Sequence, residues 1–231
     1  MPKIAADGRH LTVLNLFSTD TDEKQVKLLA AMSEIVNSAA YDGWISSTVH
    51  AGQGKPGTAN FIQWRSTEDL EARYSGEEFK HRTLPLFGEI TTSIRLLQNE
   101  VVFTQQKPEL GGVTEISPDR DDCTAIELFG VEESDQDDLV DALGRSQEWL
   151  LQVPGYRSHT VLKGLRARGL EGMFVVVYSQ WDDQEAYDAF TAQPQSERPV
   201  ERQKVDARVT ALQTWQDSNT YRVVHTRAAG E

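Results

Sequence analysis

Cysteine is almost absent from this chain, and its scarcity excludes one way of stabilising a fold. Cys123 is the only cysteine among 231 residues, so no disulfide can form within the chain. Disulfides are typical of secreted proteins and rare in the cytosol. Residues 1–10 also lack the apolar core of a secretory signal. Both absences predict a cytoplasmic protein.

Long apolar runs, nucleotide-binding loops and metal-binding spacings are missing as well. No stretch approaches the roughly 20 apolar residues that span a membrane. The chain contains neither a glycine-rich nucleotide loop nor a CxxC or HExxH spacing, and its five histidines do not cluster. A net charge of −13 opposes nucleic acid, and the most basic segment, KGLRARG at 163–169, is expected to be a short hairpin loop. We predict no membrane, nucleic-acid or metal partner.

The chain does contain an internal repeat. Four pairs of segments match in the same order, with an offset that grows from 112 to 117 to 122 residues: 12–17 with 124–129, 42–49 with 154–161, 63–72 with 180–189, and 101–104 with 223–226. The offset changes only between matched blocks, as expected of loop insertions. We predict a first repeat over 1–104, a linker over 105–121 and a second repeat over 122–231.

Each repeat has the same predicted order of elements, strand, helix, two strands, a helical region and a last strand. The predicted strands are 11–17, 44–50, 58–65 and 99–105 in the first repeat, and 123–130, 156–163, 172–181 and 220–227 in the second. This βαββαβ order is ferredoxin-like. Helices cover one sheet face, and the other must pack on something. The fold class is therefore α+β, with two tandem ferredoxin-like repeats packed sheet to sheet as an intramolecular dimeric α+β barrel.

The first helix is predicted over about 21–40, after a cap at Thr19 or Asp20. Its apolar residues recur at helical spacing: Val26, Leu29, Met32, Val36 and Ala39. The second helical region of each repeat is expected to begin with a capping box, Ser66 with Asp69 and Asp182 with Glu185.

An amide pair stands out on the predicted strands of the first repeat. Alternation puts Asn15 between apolar neighbours on the first strand, and Asn60, Ile62 and Trp64 on one face of the third. Removing a carboxamide from water without a partner costs about 1–3 kcal/mol. Such residues are therefore kept where neighbours satisfy them or where a ligand uses them, since neutral amides stabilise a developing oxyanion.

A first-strand Asn, followed by an Asn and a Trp four residues apart, resembles the antibiotic biosynthesis monooxygenases. These are small, cofactor-independent, quinone-forming oxygenases of aromatic polyketide pathways. The segments QWRSTEDLEARY and QWDDQEAYDAF resemble the family too. Its members are mostly single-repeat dimers, so the resemblance implies that this chain holds both subunits as a pseudo-dimer. A further homodimer stays open.

The resemblance implies a reaction and a set of site residues. The implied substrate is a polycyclic aromatic phenol of the anthrone type, oxidised by O2 towards a quinone or hydroxylated product in antibiotic or pigment biosynthesis, with no cofactor. Asn15, Asn60 and Trp64 would be catalytic. The substrate-binding candidates that it implies are Phe17, Ile62, Arg82, Trp181 and Tyr187.

The second repeat departs from this pattern. Glu127 stands where the first repeat has Asn15, and Val177 where it has Asn60, so the amide pair exists once. The tyrosine that some members carry six residues after the Trp is Leu70 in the first repeat and Tyr187 in the second. The candidate acid/base groups are Glu127 and His50, and an acidic substrate needs no base. Two alternatives remain: a polyketide cyclase or isomerase, or a non-catalytic protein that binds a pathway intermediate.

Overall fold

The computed structural model of the chain describes residues 2–6 and 9–230, and its largest feature is a barrel of eight strands. The barrel strands are β2 (Leu11–Ser18), β3 (Trp44–Gly52), β4 (Gly57–Trp64), β5 (Ser93–Gln106), β7 (Cys123–Val131), β8 (Tyr156–Arg168), β9 (Met173–Trp181) and β10 (Gln213–Ala228). Two short strands, β1 (Lys3–Ile4) and β6 (Thr114–Glu115), form a separate sheet. The helices are α1 (Asp22–Ser38), α2 (Thr67–Ser75), α3 (Leu84–Ile90), α4 (Gln136–Leu143), α5 (Gln184–Ala192) and α6 (Val200–Leu212). A π-helical turn, Phe79–Thr83, precedes α3, and a 3₁₀ segment, Arg145–Gln152, follows α4.

The strand order confirms the predicted fold class. The barrel runs β10-β3-β4-β2-β5-β8-β9-β7 and closes with β7 against β10, with antiparallel pairing throughout. Each half therefore contains four neighbouring strands in the ferredoxin-like order, β3-β4-β2-β5 and β8-β9-β7-β10. Closure leaves the barrel without a free edge.

Two strands, β5 and β10, are longer than the sequence predicts, beginning at 93 and 213 instead of 99 and 220. Each pairs with one strand of its own half and with one strand of the other half. The first part of β10, 213–221, pairs with β7 of its own half, and 221–228 pairs with β3 of the other half. Strand β5 bridges β2 and β8 in the same way. These long strands join the halves into one barrel, so the short strand prediction was wrong.

The core is split between the barrel interior and the space under the helices. Along β2, Leu14 points into the barrel, where it packs with Phe61 and Tyr178. Its neighbours Val13 and Phe17 face outwards against α1, α2 and α3. This alternation places Asn15 on the outer face, under the helices.

Two local expectations are corrected at the helix ends. Thr21, not Thr19 or Asp20, caps α1, and its side chain accepts a hydrogen bond from the Lys24 N–H. Ser66 caps α2 as predicted, whereas α5 is capped by Asp183, one residue after the prediction. The buried face of α1 comprises Leu28, Met32 and Val36, and Val26 is exposed.

The connecting segments also differ from the sequence interpretation. The predicted linker, 105–121, begins within β5 and contains β6, which pairs with β1. Residues 163–168 belong to β8 instead of a loop, and Arg166 and Arg168 both form ion pairs with Glu71. Among the described residues, no helix is long and apolar enough to cross a membrane.

Candidate active site

The register of the barrel brings the two asparagines together. In the antiparallel pair β2·β4, Asn15 lies directly opposite Asn60. Side chains at such positions are about 5 Å apart and share one face. Strand alternation places Ile62 and Trp64 on the same outer face. The amides, the isoleucine and the indole therefore form one wall beneath the helices.

A mostly apolar cavity lies between this wall and the helices. Its enclosed volume is about 70 Å³, and the empty space reaches about 560 Å³ when the open mouth is included. The lining contains both asparagines and a set of apolar and aromatic side chains, among them Met32, Val36, Tyr41, Trp44, Ile62, Trp64, Leu70, Tyr74, Phe79 and Phe87. Because the enclosed part is narrow, side chains at the mouth must move before a tricyclic molecule can enter.

Two polar atoms of this lining are buried without a hydrogen-bond partner among the described residues. They are the Asn60 Oδ1 acceptor and the Trp64 Nε1 donor. Leaving such an atom unpaired costs about 1–3 kcal/mol each. An acceptor and a donor left open in one apolar cavity are suited to a ligand that carries a hydroxyl or carbonyl oxygen.

Tyr74 orients the other amide. Its hydroxyl, on α2, donates to Asn15 Oδ1 at 3.5 Å, a long hydrogen bond. Burial raises the pKa of Tyr74 to about 12, so the hydroxyl keeps its proton at neutral pH. Because Tyr74 occupies the Asn15 oxygen, the amide NH₂ group of Asn15 is left as the donor for a ligand oxygen.

Replacing Tyr74 by Phe tests this orientation. For an anthrone-type phenol, the substrate that the family resemblance implies, we expect kcat/KM to fall about 3-fold to 10-fold, since a single neutral hydrogen bond contributes about 0.5–1.5 kcal/mol. The fold should stay intact because the ring still packs against Phe79, 4.5 Å away between centroids. Steady-state kinetics with a matched melting curve checks it. Unchanged kinetics would contradict the positioning role.

A cation closes one side of the cavity. The Arg73 guanidinium lies 4.1 Å from the centre of the Tyr41 ring, which in turn stacks against Trp64 with 6.4 Å between centroids. Arg73 Nη1 also pairs with Glu78 at 3.1 Å. The tyrosine and the arginine are thus held as a layer over the indole.

His50 lies elsewhere, contrary to the prediction that placed it at a hairpin end as a candidate base. It pairs with Ala59 across β3·β4 and points into the barrel, fully buried. Its Nδ1 donates to the Ala59 carbonyl at 3.2 Å, and its Nε2 accepts from the Tyr178 hydroxyl at 2.9 Å. Burial lowers the pKa of His50 to about 4. The barrel wall separates this imidazole from the cavity.

Glu127 is also outside the cavity. It pairs with Val177 across β7·β9, the counterpart of the pairing between Asn15 and Asn60. Burial raises the pKa of Glu127 to about 7, partly offset by a hydrogen bond from Gln216 Nε2 at 3.2 Å. A carboxyl group with this pKa suits a base, but the second half holds no amide pair for it to serve.

Replacing Glu127 by Gln tests its protonation. The pKa is about 7 in the folded protein and about 4.5 when unfolded, so the folded state binds the proton more tightly and stability falls as pH rises between these values. We expect the variant to be more stable than the native chain at pH 8 by roughly 2 kcal/mol. This is less than the full pKa shift implies, because the Glu127 side chain is only half-buried and solvent screens its charge. Urea unfolding at pH 5 and pH 8 measures it. An equal difference at both pH values would contradict the raised pKa.

Four other predicted residues do not line the cavity. Trp181 and Tyr187 pack together in the core of the second half, with ring centroids 5.6 Å apart, and line no described cavity. Phe17 is buried against Phe87, and Arg82 is exposed on the π-helical turn. The expectation of Arg82 at the site is therefore wrong as to place, since Arg73 is the arginine that lines the cavity.

Sequence reasoning missed Tyr41, Arg73 and Tyr74. Helical spacing offered a signal for two of them, because Arg73 and Tyr74 follow Leu70 by three and four residues and share its face of α2. None of the described residues lining the cavity is His, Cys, Asp or Glu, so the lining offers no ligand set for a metal.

The barrel with an amide pair beneath its helices defines the class of protein. A sequence model of the family described as antibiotic biosynthesis monooxygenase matches residues 124–202. A solved structure described as an anthrone oxidase-like protein is 59% identical, covers 100% of this chain and 98% of its own length, and superposes with a TM-score of 0.97. The chain belongs to the antibiotic biosynthesis monooxygenase family.

More distant structures share the fold. A putative monooxygenase from Fusobacterium nucleatum is 10% identical, with a TM-score of 0.63 over 97% of this chain and 96% of its own. One from Lactobacillus acidophilus is 9% identical, with a TM-score of 0.58 over 96% and 97%. No curated protein matches the sequence.

Proposed function

We propose that this chain is a cofactor-independent monooxygenase that oxidises a polycyclic aromatic phenol of the anthrone type with O2. The observation that carries the proposal is the amide pair in an apolar cavity, where Asn60 Oδ1 and Trp64 Nε1 are buried without a hydrogen-bond partner in the described part of the chain. The similarity to an anthrone oxidase-like protein supports the same substrate class.

The proposed reaction converts an aryl CH₂ group into a carbonyl. Loss of one proton gives a delocalised carbanion, which transfers an electron to O2, and recombination of the two radicals forms a C–O bond. The resulting peroxide takes up a proton. Loss of the second C–H proton then breaks the O–O bond and releases water. The substrate loses four electrons and O2 gains four, so no further reductant is required.

The cavity stabilises charge during these steps. The NH₂ group of Asn15 and the indole N–H of Trp64 donate to the oxygen on which the carbanion charge is delocalised. The NH₂ group of Asn60 donates to the developing peroxide oxygen, and its Oδ1 accepts from a phenol hydroxyl. The Arg73 guanidinium adds a positive charge at the wall, which its ion pair with Glu78 partly offsets. The N–H donors and the guanidinium favour the ionised substrate over the neutral one.

Proton removal is left to solvent in this proposal. No carboxylate or imidazole lines the cavity among the described residues. An anthrone CH₂ is acidic because the negative charge spreads over the neighbouring rings and carbonyl. Donors that favour the anion lower the pKa of the bound substrate further. Hydroxide or a water molecule at the open mouth is therefore a sufficient base.

Two wider statements belong to the same proposal. The reaction serves antibiotic or pigment biosynthesis, and the protein acts in the cytoplasm on a small aromatic polyketide. The proposal needs no second copy of the chain, since residues between 15 and 87 supply the whole described lining of the cavity.

Oxygen uptake tests the proposal. Chelator-treated protein is mixed with dithranol, and O2 consumption is compared with autoxidation in its absence. We expect uptake above that background, insensitive to added chelator. Conversion of the phenol without O2 consumption would favour the cyclase or isomerase instead, and binding without conversion would favour a carrier.

A further inference from the structure

A second cavity lies in the half that lacks the amide pair. It sits between α5, the start of α6 and the segment Arg145–Gln152, and its empty space reaches about 1170 Å³ including the mouth. The lining is mainly apolar, with Trp149, Val153, Pro154, Ala186, Ala189, Phe190 and Pro199 beside Arg202. Without the mouth, its volume is about 590 Å³, against about 70 Å³ for the first cavity.

This cavity does not repeat the first. In the second half the space next to the sheet is filled by rings, because Trp181 contacts Tyr156, Tyr187 and Phe190 with centroids 4.8–5.7 Å apart. The indole of Trp181 is also hydrogen-bonded, donating to Ser179 Oγ at 3.0 Å. The open space therefore begins further from the barrel, on the outer side of Phe190.

Arg202 provides a buried positive charge at this cavity. The residue is only 5% exposed, and its guanidinium lies 3.9 Å from the Phe190 ring centre. Nη1 donates to the Phe190 carbonyl at 3.0 Å and to Gln193 Oε1 at 2.9 Å. Nε donates no hydrogen bond to any described residue, and the nearest carboxylate oxygen, Asp206 Oδ2, is 3.7 Å away.

A second donor is left open beside it. Trp149 Nε1 is buried and has no hydrogen-bond partner among the described residues. The Trp149 ring stacks with Phe190 at 6.1 Å and lies 5.9 Å from the Arg202 guanidinium. Asp206 is shared with Arg198, 2.8 Å away, and Glu127, the other acid that acts on Arg202, has a pKa of about 7 and is only partly charged at neutral pH. The two guanidinium groups therefore leave the local charge positive.

We propose that this second cavity is a binding site for a planar aromatic anion, a carboxylate or phenolate, separate from the proposed oxidation site. The rings of Trp149 and Phe190 would stack on the flat part of the ligand. The Arg202 guanidinium and the Trp149 N–H would take its anionic oxygen once the side chains that cover these buried donors shift. Charge-assisted hydrogen bonds of this kind are about twice as strong as neutral ones. An anion here also offsets the cost of burying Arg202. The proposal stands on its own residues and not on the oxidation.

Anthracene-9-carboxylate is the probe, with 9-anthracenemethanol as its neutral match. Calorimetric titration of the whole chain gives the stoichiometry and the affinity. Ala189→Phe fills the cavity from an exposed position of α5, and Ala72→Phe is its control, since Ala72 occupies the corresponding exposed position of α2 and lines no described cavity. Trp149→Phe removes the N–H donor and keeps a ring.

We expect one anthracene-9-carboxylate site to disappear in Ala189→Phe and to persist in Ala72→Phe. Trp149→Phe should weaken that site about 10-fold, and the neutral alcohol should bind it at least 10-fold more weakly than the acid. The proposal is overturned if the acid does not bind, if Ala189→Phe keeps the native stoichiometry, or if acid and alcohol bind alike.

Discussion

Replacing Asn60 by Ala is expected to lower kcat/KM for an anthrone by about 100-fold to 1000-fold. Removing one group that stabilises a developing oxyanion typically costs this much, because the loss is felt in the transition state more than in the bound substrate. Asn15→Ala should have a similar effect, since the two residues face each other across β2·β4. Initial rates of O2 consumption over a range of substrate concentrations measure both.

The melting temperature gives a second readout for Asn60→Ala. Because Asn60 Oδ1 has no hydrogen-bond partner among the described residues, Asn60→Ala should leave the melting temperature unchanged or raise it. Loss of activity without loss of stability distinguishes a functional amide from a structural one.

The matched control for Asn15 is its counterpart in the other half. Glu127→Gln changes the residue that pairs with Val177 as Asn15 pairs with Asn60, and it should keep native kinetics. If Glu127→Gln lost activity and the two Asn variants kept it, the working site would lie in the second half, and the proposed assignment would be wrong.

Acidification should destabilise the barrel through His50. Its pKa is lowered to about 4 in the folded chain from 6.5, so the folded state disfavours the proton that the unfolded state accepts. The stability from neutral His50 is present above pH 6.5 and is lost as pH falls towards 4. At 1.36 kcal/mol per pKa unit, this amounts to roughly 3 kcal/mol.

A second histidine adds to this effect. Burial likewise lowers the pKa of His159 to about 4, while Glu127 acts in the opposite direction over an overlapping pH range. On acidification the two histidines lower the free energy of unfolding and Glu127 raises it, so the net change is a loss of stability.

Urea unfolding between pH 4 and 7.5 measures the contribution of His50. His50→Gln, which keeps a donor for the Ala59 carbonyl, should flatten the acid side of the profile, and substitution of exposed His81 by Gln should not. If the His50 variant retained the full acid loss, the buried neutral imidazole would not be its source.

The fold could be predicted from the sequence because its two halves have matching segments in the same order. The matched segments gave the strand order of each half, and the register that places Asn15 opposite Asn60 recurs for Glu127 and Val177. The early parts of β5 and β10 were missed. Their extra residues pair with β2 and β7, the first strand of each half, and single-sequence periodicity carries no information about such long-range pairing.

The site was predicted in part. Asn15, Asn60, Ile62 and Trp64 share a strand face, so alternation alone groups them. Arg73 and Tyr41 come from different elements, and only the packing of α2 against the turn after α1 brings them together. His50 was misjudged because its strand position, near the hairpin, does not reveal which face closes into the barrel.

Isotope labelling tests the central claim most directly. The chelator-treated protein is given dithranol under ¹⁸O2, and the product is analysed by mass spectrometry beside the Asn60→Ala variant. We predict one ¹⁸O atom at the newly oxidised carbon in the native reaction, with the labelled yield of the variant falling to the autoxidation background. An unlabelled product accompanied by hydrogen peroxide, or equal labelling by both proteins, would contradict a monooxygenase working in the first cavity.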